Sequence, residues 1–267
     1  MNEKVAVVGS GAIACGVAVV AASRLGEAVL VARSEESADR ARASTAKTLA
    51  KLDSDGVVTV ATACAAVADA TYVIEAIAEE FDAKAELLAE LDRHAGPQAA
   101  LATTTSSLSV EKLGRASGRP ERFVGFHVFN PVPRMELIEV AYTSQTMDVV
   151  RARTRELCET LGKTGVEVPG IPGFVVNRVL FPMLFDAARL VQDHGLQPAD
   201  VDTCMKLGAG HPMGPLALLD FVGLDVSIAI GESIGADVPE LLREMARDGR
   251  LGKKAGIGFF DYEKARA

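Results

Sequence analysis

The feature that most constrains the fold is a glycine-rich turn near the start of the chain. Residues 9–14, GSGAIA, have the form GxGxxA, after the apolar run Val5–Val8 and at the start of the helical pattern Ala12–Leu25. In this context the glycines form a tight turn and let a pyrophosphate approach the backbone at a helix N-terminus. The turn predicts a βαβ unit that binds a dinucleotide. Its expected contact residues are Gly9, Gly11, Ala12 and Ile13, and Ala14 or Gly16 keeps the helix close to the strand.

Short apolar runs and helical patterns then alternate as far as residue 170. Further strands are predicted at 28–31, 57–60, 72–77, 99–103, 123–127 and 137–142, and helices at 37–52 and 81–94. Runs such as VAVV and AVLV are apolar at every position, which is typical of strands buried on both faces of a parallel sheet. The alternation predicts an α/β fold with a Rossmann-like, mostly parallel sheet.

The pattern changes at the PGIPG segment, residues 169–173, after which no strand is predicted. A long amphipathic helix is expected at 174–194, and shorter ones near 198–207, 215–222, 224–234 and 239–247. We therefore predict two domains: residues 1–170 bind the dinucleotide, and residues 171–267 form an all-α domain for substrate binding and dimerisation. Its helices are more apolar than a core of about 100 residues needs, which predicts a homodimer.

Composition excludes several classes of protein. The chain of 267 residues has 28 Lys and Arg against 36 Asp and Glu, a net charge of −8. This acidic balance argues against a nucleic-acid-binding surface and against an electrostatic membrane anchor. The uncharged stretch between Lys4 and Arg24 resembles a membrane span, but its glycines interrupt it. The scattered four Cys and four His favour neither a metal site nor a disulfide framework, and predict a cytoplasmic protein.

The end of the second predicted strand bears on which dinucleotide binds. NAD enzymes usually have Asp or Glu there to hold the ribose 2′-hydroxyl, whereas this chain reads Val31-Ala32-Arg33-Ser34. Arg33 and Ser34 can instead bind a 2′-phosphate, which favours NADP over NAD. In the alternative interpretation, Arg33 is an ordinary exposed residue, and Glu35 or Glu36 holds the ribose.

Two polar residues mark a candidate catalytic site. His127 closes a predicted strand just before a proline-bounded loop, and Ser106 follows the end of another strand. Ligands of open α/β sheets bind outside the carboxyl ends of the strands, so both residues are expected on the same rim. Histidine is the usual acid–base group when a hydroxyl is oxidised near neutral pH. A carboxylate such as Glu139 can fix the tautomer of that histidine.

Several longer motifs surround these residues: VIEAIAEEFDAK, TSSL, GFHVFNPVPRMELIEV, PGFVVNR and MKLGAGHPMGPLALLDFVGLD. With them, and over nearly its whole length, the chain resembles the 3-hydroxyacyl-CoA dehydrogenases, including the bacterial 3-hydroxybutyryl-CoA type. The resemblance implies an oxidoreductase of fatty acid metabolism. Such an enzyme interconverts a 3-hydroxyacyl and a 3-oxoacyl thioester by hydride transfer to or from a nicotinamide.

The resemblance also implies roles for the residues that match the family motifs. His127 would be the acid–base group, Glu139 its paired carboxylate, and Ser106 a donor to the substrate oxygen that also lies at the cofactor. Asn177 would position the substrate and the histidine, and Asn130 would support the active site. Glu79 and Lys84 would lie beside the nicotinamide.

Some features depart from the family pattern. Ala32 replaces the usual Asp, and Thr104 replaces the Asn found before TSSL in many members. The stretch 34–72 is shorter than in members where a helical hairpin contacts CoA, although Lys47 and Lys51 can meet phosphates. The expected substrate is an acyl-CoA or an acyl-carrier-protein thioester. A non-catalytic, cofactor-binding relative is a further alternative.

Overall fold

The computed structural model describes residues 3–263. The chain forms two compact units, Met1–Ile171 and Pro172–Ala267, whereas the sequence predicts a division after residue 170. Within the described range, no helix is both long enough and apolar enough to cross a membrane.

The first unit is built around one eight-stranded sheet. Its strands are β1 (Val5–Val8), β2 (Glu27–Val31), β3 (Val57–Ala61), β4 (Tyr72–Glu75), β5 (Ala100–Thr103), β6 (Phe123–Val128), β7 (Leu137–Tyr142) and β8 (Thr164–Glu167). Its helices are α1 (Ala12–Leu25), α2 (Glu35–Lys51), α3 (Phe81–His94), α4 (Val110–Ala116) and α5 (Asp148–Thr160). The strand order is β3-β2-β1-β4-β5-β6-β7-β8, and β6 with β7 is the antiparallel pair. The predicted Rossmann-like, mostly parallel sheet is confirmed.

The centre of this sheet is buried because its strands are apolar at almost every position. All residues of β1, β4 and β5 are buried, as expected for strands covered by helices on both faces. Helix α1 presents mostly alanine and valine to the sheet and is buried along most of its length. These small side chains let the helix pack close to β1, which positions the glycine turn at the end of that strand.

The first unit also contains elements that the sequence analysis did not predict, namely α4, α5 and β8. Strand β8 has the sequence TGVE and is exposed at every position, so it has no apolar run to mark it. It is defined by its parallel pairing with β7, which aligns Leu137 with Thr164. Strand β4 ends at Glu75, two residues before the predicted end, because the backbone N–H of Ile77 donates to the Glu75 side chain.

The second unit is helical, which confirms the predicted all-α C-terminal part. Its helices are α6 (Val176–His194), α7 (Pro198–Gly208), α8 (Pro215–Val222), α9 (Leu224–Ser233) and α10 (Glu240–Arg247). Phe181, Leu184, Phe185, Leu216, Leu219, Leu224 and Leu242 form the centre of its core. Helix α6 begins two residues later than predicted because Phe174 has a positive φ of 48°, outside the helical region. Pro182 lies inside α6.

Candidate active site

The glycine turn has the backbone geometry that a dinucleotide site needs. Gly9 has a φ of +138°, and a Cβ there would lie 2.3 Å from the carbonyl oxygen of Ala76. Only glycine fits this position, because any side chain would collide with the backbone beyond β4. The N–H of Gly9 donates to the carbonyl of Val31 at 2.8 Å, which ties the turn to the end of β2.

The start of α1 fits a pyrophosphate. Gly11 is the N-cap residue, and no side chain caps this helix end. A Cβ on Gly11 would meet no atom within 4 Å, so open space lies in front of the first turn. The amide groups of that turn, which includes Ala12 and Ile13, point towards the helix start and favour an anion there. Gly16 permits the close packing of α1, since a Cβ there would lie 2.8 Å from that of Val132.

At the end of β2, Ala32 occupies the position where NAD enzymes usually have a carboxylate, and a basic side chain, Arg33, follows it. Ala32 is buried and Arg33 is exposed. Within residues 3–263, Arg33 forms no hydrogen bond or ion pair with another side chain. Ser34 caps α2, with its hydroxyl accepting from the N–H of Ser37 at 3.3 Å.

The two carboxylates of the alternative interpretation already have partners in this structure. Glu35 accepts from the hydroxyl of Thr62 at 3.1 Å, and Glu36 forms an ion pair with Arg40 one turn along α2. Their engagement leaves Arg33 as the uncommitted charged group at the end of β2.

His127 and Glu139 form a buried pair across two neighbouring strands. They are register partners on β6 and β7, and the distance from His127 Nδ1 to Glu139 Oε2 is 2.7 Å. Their exposed fractions are 5% and 1%. The ring of Phe129 lies against the imidazole, with 4.6 Å between ring centroids. Because the carboxylate accepts from Nδ1, the imidazole is held in the tautomer and orientation that make Nε2 its acid–base atom.

Glu79 organises the loop that follows β5. Its Oε1 accepts from the N–H groups of Ser106 and Ser107 at 2.8 and 2.9 Å, and from the hydroxyl of Thr105 at 2.6 Å. The Ser106 and Ser107 hydroxyls donate to the same oxygen at 3.3 and 2.8 Å. Burial opposes ionisation of Glu79, but the Thr105 hydrogen bond, the charge of Lys84 and the serine donors outweigh it and lower the Glu79 pKa. The carboxylate therefore holds Ser106 in place.

A second carboxylate lies beneath this loop. Lys84 is fully buried, with its Nζ 2.6 Å from Glu75 Oε1 and 3.6 Å from Glu79 Oε2. Glu75 Oε2 accepts from the hydroxyl of Thr103 at 2.7 Å. The sequence analysis missed Glu75 and Thr103. The available signal was that each is the single polar residue in an otherwise apolar strand, YVIE and ALAT.

The first unit thus places most of the predicted residues at one rim of the sheet. Glu79 follows β4, Ser106 follows β5, and His127 lies near the end of β6, and these three strands are neighbours. Asn130 is exposed and lies three residues beyond His127. Asn177 belongs to the second unit, where it is buried in the first turn of α6.

The chain between β2 and β3 contains one helix, α2, followed by a short connection at residues 52–56. Lys47 and Lys51 are exposed on the second half of this helix. Within the stretch 34–72, a single α-helix therefore stands between β2 and β3, and no helical hairpin is formed there.

Comparisons with known proteins agree along the whole chain. The family model described as 3-hydroxyacyl-CoA dehydrogenase, NAD binding domain, matches residues 4–171. The model of the family's C-terminal domain matches residues 173–262. A probable 3-hydroxybutyryl-CoA dehydrogenase of Deinococcus radiodurans is 39% identical over 277 aligned positions, covering 97% of this chain and 100% of that protein. The 3-hydroxybutyryl-CoA dehydrogenase of Clostridioides difficile is 36% identical, covering 98% and 100%.

Solved structures show the same relationship. The (S)-3-hydroxybutyryl-CoA dehydrogenase of Ralstonia eutropha has a TM-score of 0.90 and 35% identity, covering 97% of this chain and 99% of that one. The first unit carries the NAD-binding part of the family, so the cofactor is a nicotinamide dinucleotide. The chain therefore belongs to the 3-hydroxyacyl-CoA dehydrogenase family and is an oxidoreductase of that type.

Proposed function

We propose that this protein interconverts 3-hydroxyacyl and 3-oxoacyl thioesters, with His127 as the acid–base residue and Glu139 as its partner. The observation that carries the proposal is the buried 2.7 Å contact between these side chains at the rim of the sheet. A histidine with one nitrogen fixed by a carboxylate is suited to exchange a proton through the other.

Proton transfer in the oxidation direction falls to His127. Its Nε2 takes the proton of the C3 hydroxyl as the C–O bond gains double-bond character, and Glu139 stabilises the resulting imidazolium. A nicotinamide dinucleotide supplies the acceptor for the C3 hydride. When substrate is bound, the Ser106 hydroxyl turns from Glu79, to which it donates at 3.3 Å, and donates to the substrate oxygen, while Asn177 and Asn130 help to position the substrate. Reduction of the 3-oxoacyl thioester uses the same groups in reverse.

We propose that the preferred cofactor is NADP. The residues that support this are Arg33, exposed at the end of β2, and Ser34 next to it. A guanidinium can bind a 2′-phosphate in bidentate fashion, whereas the buried Ala32 offers no acceptor to a ribose hydroxyl. Gly9, Gly11, Ala12 and Ile13 hold the pyrophosphate, and Glu79 and Ser106 lie at the nicotinamide end. Lys84 is fully buried behind Glu79, so its expected role at the cofactor is indirect.

The proposed substrate is a CoA thioester, because the three relatives described above are named as 3-hydroxybutyryl-CoA dehydrogenases. Exposed Lys47 and Lys51 on α2 are candidates for contact with its phosphates. None of the relatives reported above is named for a carrier-protein substrate. A carrier-protein thioester is therefore the alternative substrate that the assay must distinguish from the CoA thioester.

The function is tested by a matrix of substrates and cofactors followed at 340 nm. We expect acetoacetyl-CoA to be reduced, with a lower KM for NADPH than for NADH. Turnover of acetoacetyl-carrier protein without turnover of the CoA ester would show that the substrate is a carrier-protein thioester and not a CoA thioester. Binding of NADPH with no turnover of either ester would show a non-catalytic relative and refute the proposal.

We also propose that the protein is a homodimer formed through its helical unit. Large apolar side chains are exposed there, including Val179 on α6 at 68% and Leu207 on α7 at 83%. Leu190, Leu196 and Met205 line an apolar groove of about 420 Å³ on the same unit. Exposed apolar surface of this kind favours association. Light scattering at micromolar concentration should give twice the chain mass of 28.0 kDa, and a mass near 28.0 kDa would refute the dimer.

We also propose that the protein is located in the cytoplasm. Cys15, Cys64, Cys158 and Cys204 are all free thiols in the structure. Free thiols are typical of proteins that work in a reducing compartment, which supports this location.

A further inference from the structure

A buried chain of two ion pairs runs from Glu75 through Lys84 to Glu79, and we call it the bridge. Lys84 lies in the first turn of α3 and is fully buried. Burying an ammonium group is strongly unfavourable unless opposite charge surrounds it. Two carboxylates do so, Glu75 at 2.6 Å and Glu79 at 3.6 Å. The Glu75 side chain is fully buried, whereas that of Glu79 is 35% exposed.

Glu75 is fixed from three directions. Its Oε1 accepts from Lys84 Nζ and from the N–H of Ile77, both within 2.7 Å. Its Oε2 accepts from the hydroxyl of Thr103, its register partner on β5. Because Glu75 has no exposed surface, it does not contact a substrate or a cofactor directly. It acts on the site through the groups that it contacts, and of these Lys84 is the charged one and makes the shortest contact, at 2.6 Å.

The bridge determines which groups the two carboxylate oxygens of Glu79 contact. Glu75 makes the shorter contact with Lys84, so Glu79 remains 3.6 Å from the ammonium. Glu79 Oε1 is then available to the Thr105, Ser106 and Ser107 donors. The two carboxylates and one ammonium have a combined charge of −1. Without the negative charge of Glu75, Lys84 would attract Glu79 away from the loop, and the combined charge would be zero.

We propose that Glu75 is a positioning residue of the cofactor site: through Lys84 it holds Glu79 against the Ser106 loop and keeps a net negative charge where the nicotinamide binds. This inference rests on the proposed function, which places Glu79 beside that ring and Lys84 behind Glu79. The oxidised nicotinamide ring is positively charged and the reduced ring is neutral. A net negative charge therefore favours the oxidised cofactor, and Glu75 biases the site towards it.

The test is the isosteric variant Glu75→Gln, titrated with NADP⁺ and with NADPH in the absence of thioester. The amide retains the size of the side chain but removes its charge. We expect the ratio of the NADP⁺ Kd to the NADPH Kd to rise by roughly tenfold. A folded variant whose ratio stays within about twofold of the wild-type value would overturn the proposal.

Glu3→Gln is the matched control for the loss of a buried ion pair. Glu3 is 9% exposed and pairs with Arg153 at 2.7 Å. It also accepts from the hydroxyl of Thr71, next to the opposite end of β4 from Glu75. Both variants should lower the Tm, but only Glu75→Gln should change the Kd ratio. An equal change in the Glu3 variant would show general destabilisation and overturn the assignment.

Two further variants test the role of the Glu75 charge independently of Glu75→Gln. Glu75→Asp retains the charge but shortens the side chain, so its ratio should lie closer to the wild-type value than that of Glu75→Gln, and a ratio equal to that of Glu75→Gln would contradict the proposal. If Glu75→Gln does not fold, Glu75→Gln with Lys84→Met removes the buried pair as a unit and restores a combined charge of −1. A wild-type ratio in the double variant supports the charge argument, and a tenfold shift overturns it.

These titrations separate this inference from the proposed function. They need no turnover, so an enzyme inactive towards acetoacetyl-CoA would still report the Kd ratio. Failure of the proposed function is absence of turnover in the wild-type enzyme. Failure of the present inference is an unchanged ratio in a folded Glu75→Gln variant.

Discussion

Substitution of His127 by alanine is expected to lower kcat by about a thousandfold with acetoacetyl-CoA, while the Kd of NADPH stays within about twofold. The variant removes the imidazole that takes or gives the hydroxyl proton, and it leaves the glycine turn and Arg33 intact. Steady-state kinetics at 340 nm and a fluorescence titration of NADPH measure the two quantities. Near-normal turnover would remove His127 from its proposed role.

Glu139→Gln tests the other half of the pair with little change in size. An amide nitrogen facing His127 Nδ1 favours the opposite tautomer, so proton exchange at Nε2 is impaired. We expect kcat to fall by roughly a hundredfold or more, with cofactor affinity unchanged. The 2.7 Å contact would then have a catalytic as well as a structural role. A kcat equal to that of the wild type would show a purely structural pair.

Arg33→Asp is expected to reverse the cofactor preference. The substitution replaces a cation that suits the 2′-phosphate by a carboxylate that repels it and can accept from a ribose hydroxyl. We expect the KM for NADPH to rise by roughly a hundredfold and the KM for NADH to fall. The measurement is kcat/KM for both cofactors with the same thioester.

Arg40→Asp is the matched control for this change in charge. Arg40 is also exposed on the first half of α2, but it already pairs with Glu36. The control should leave the ratio of the two kcat/KM values within about twofold of the wild type. An unchanged ratio in Arg33→Asp, or an equal change in the control, would contradict recognition of the 2′-phosphate by Arg33.

Local sequence patterns are sufficient to predict the glycine turn and the central strands. Gly9 was identified from the sequence because a glycine turn between an apolar strand and a helix has few other uses, and its φ of +138° fits that interpretation. The central strands were found because burial on both faces requires continuous apolar runs. Strand β8 was missed because an exposed edge strand carries no such run. Helix α5 was missed because its polar face dominates the sequence, although Val150 and Leu157 are buried.

In the candidate site, too, local patterns predict some residues and not the contacts between distant parts of the chain. Glu139 is only one possible partner of His127 by sequence alone, and the family motif pairs them, since the 11 residues between them carry no local signal of a contact. Lys84 and Glu79 were also assigned by resemblance. Glu75 and Thr103 were not assigned at all, because they lie 28 residues apart and meet only when β4 and β5 become neighbours.

The sequence by itself determined the dinucleotide-binding turn, the two-part organisation and the family, because these depend on local glycine geometry, on the period of the apolar residues and on contiguous motifs. Only the tertiary structure decided that Lys84 is fully buried between two carboxylates and that Glu79 holds the Ser106 loop. Strand order decides which polar side chains meet at the sheet rim, and neighbouring strands come from distant parts of the chain. A buried charge is recognised only when the groups around it are known.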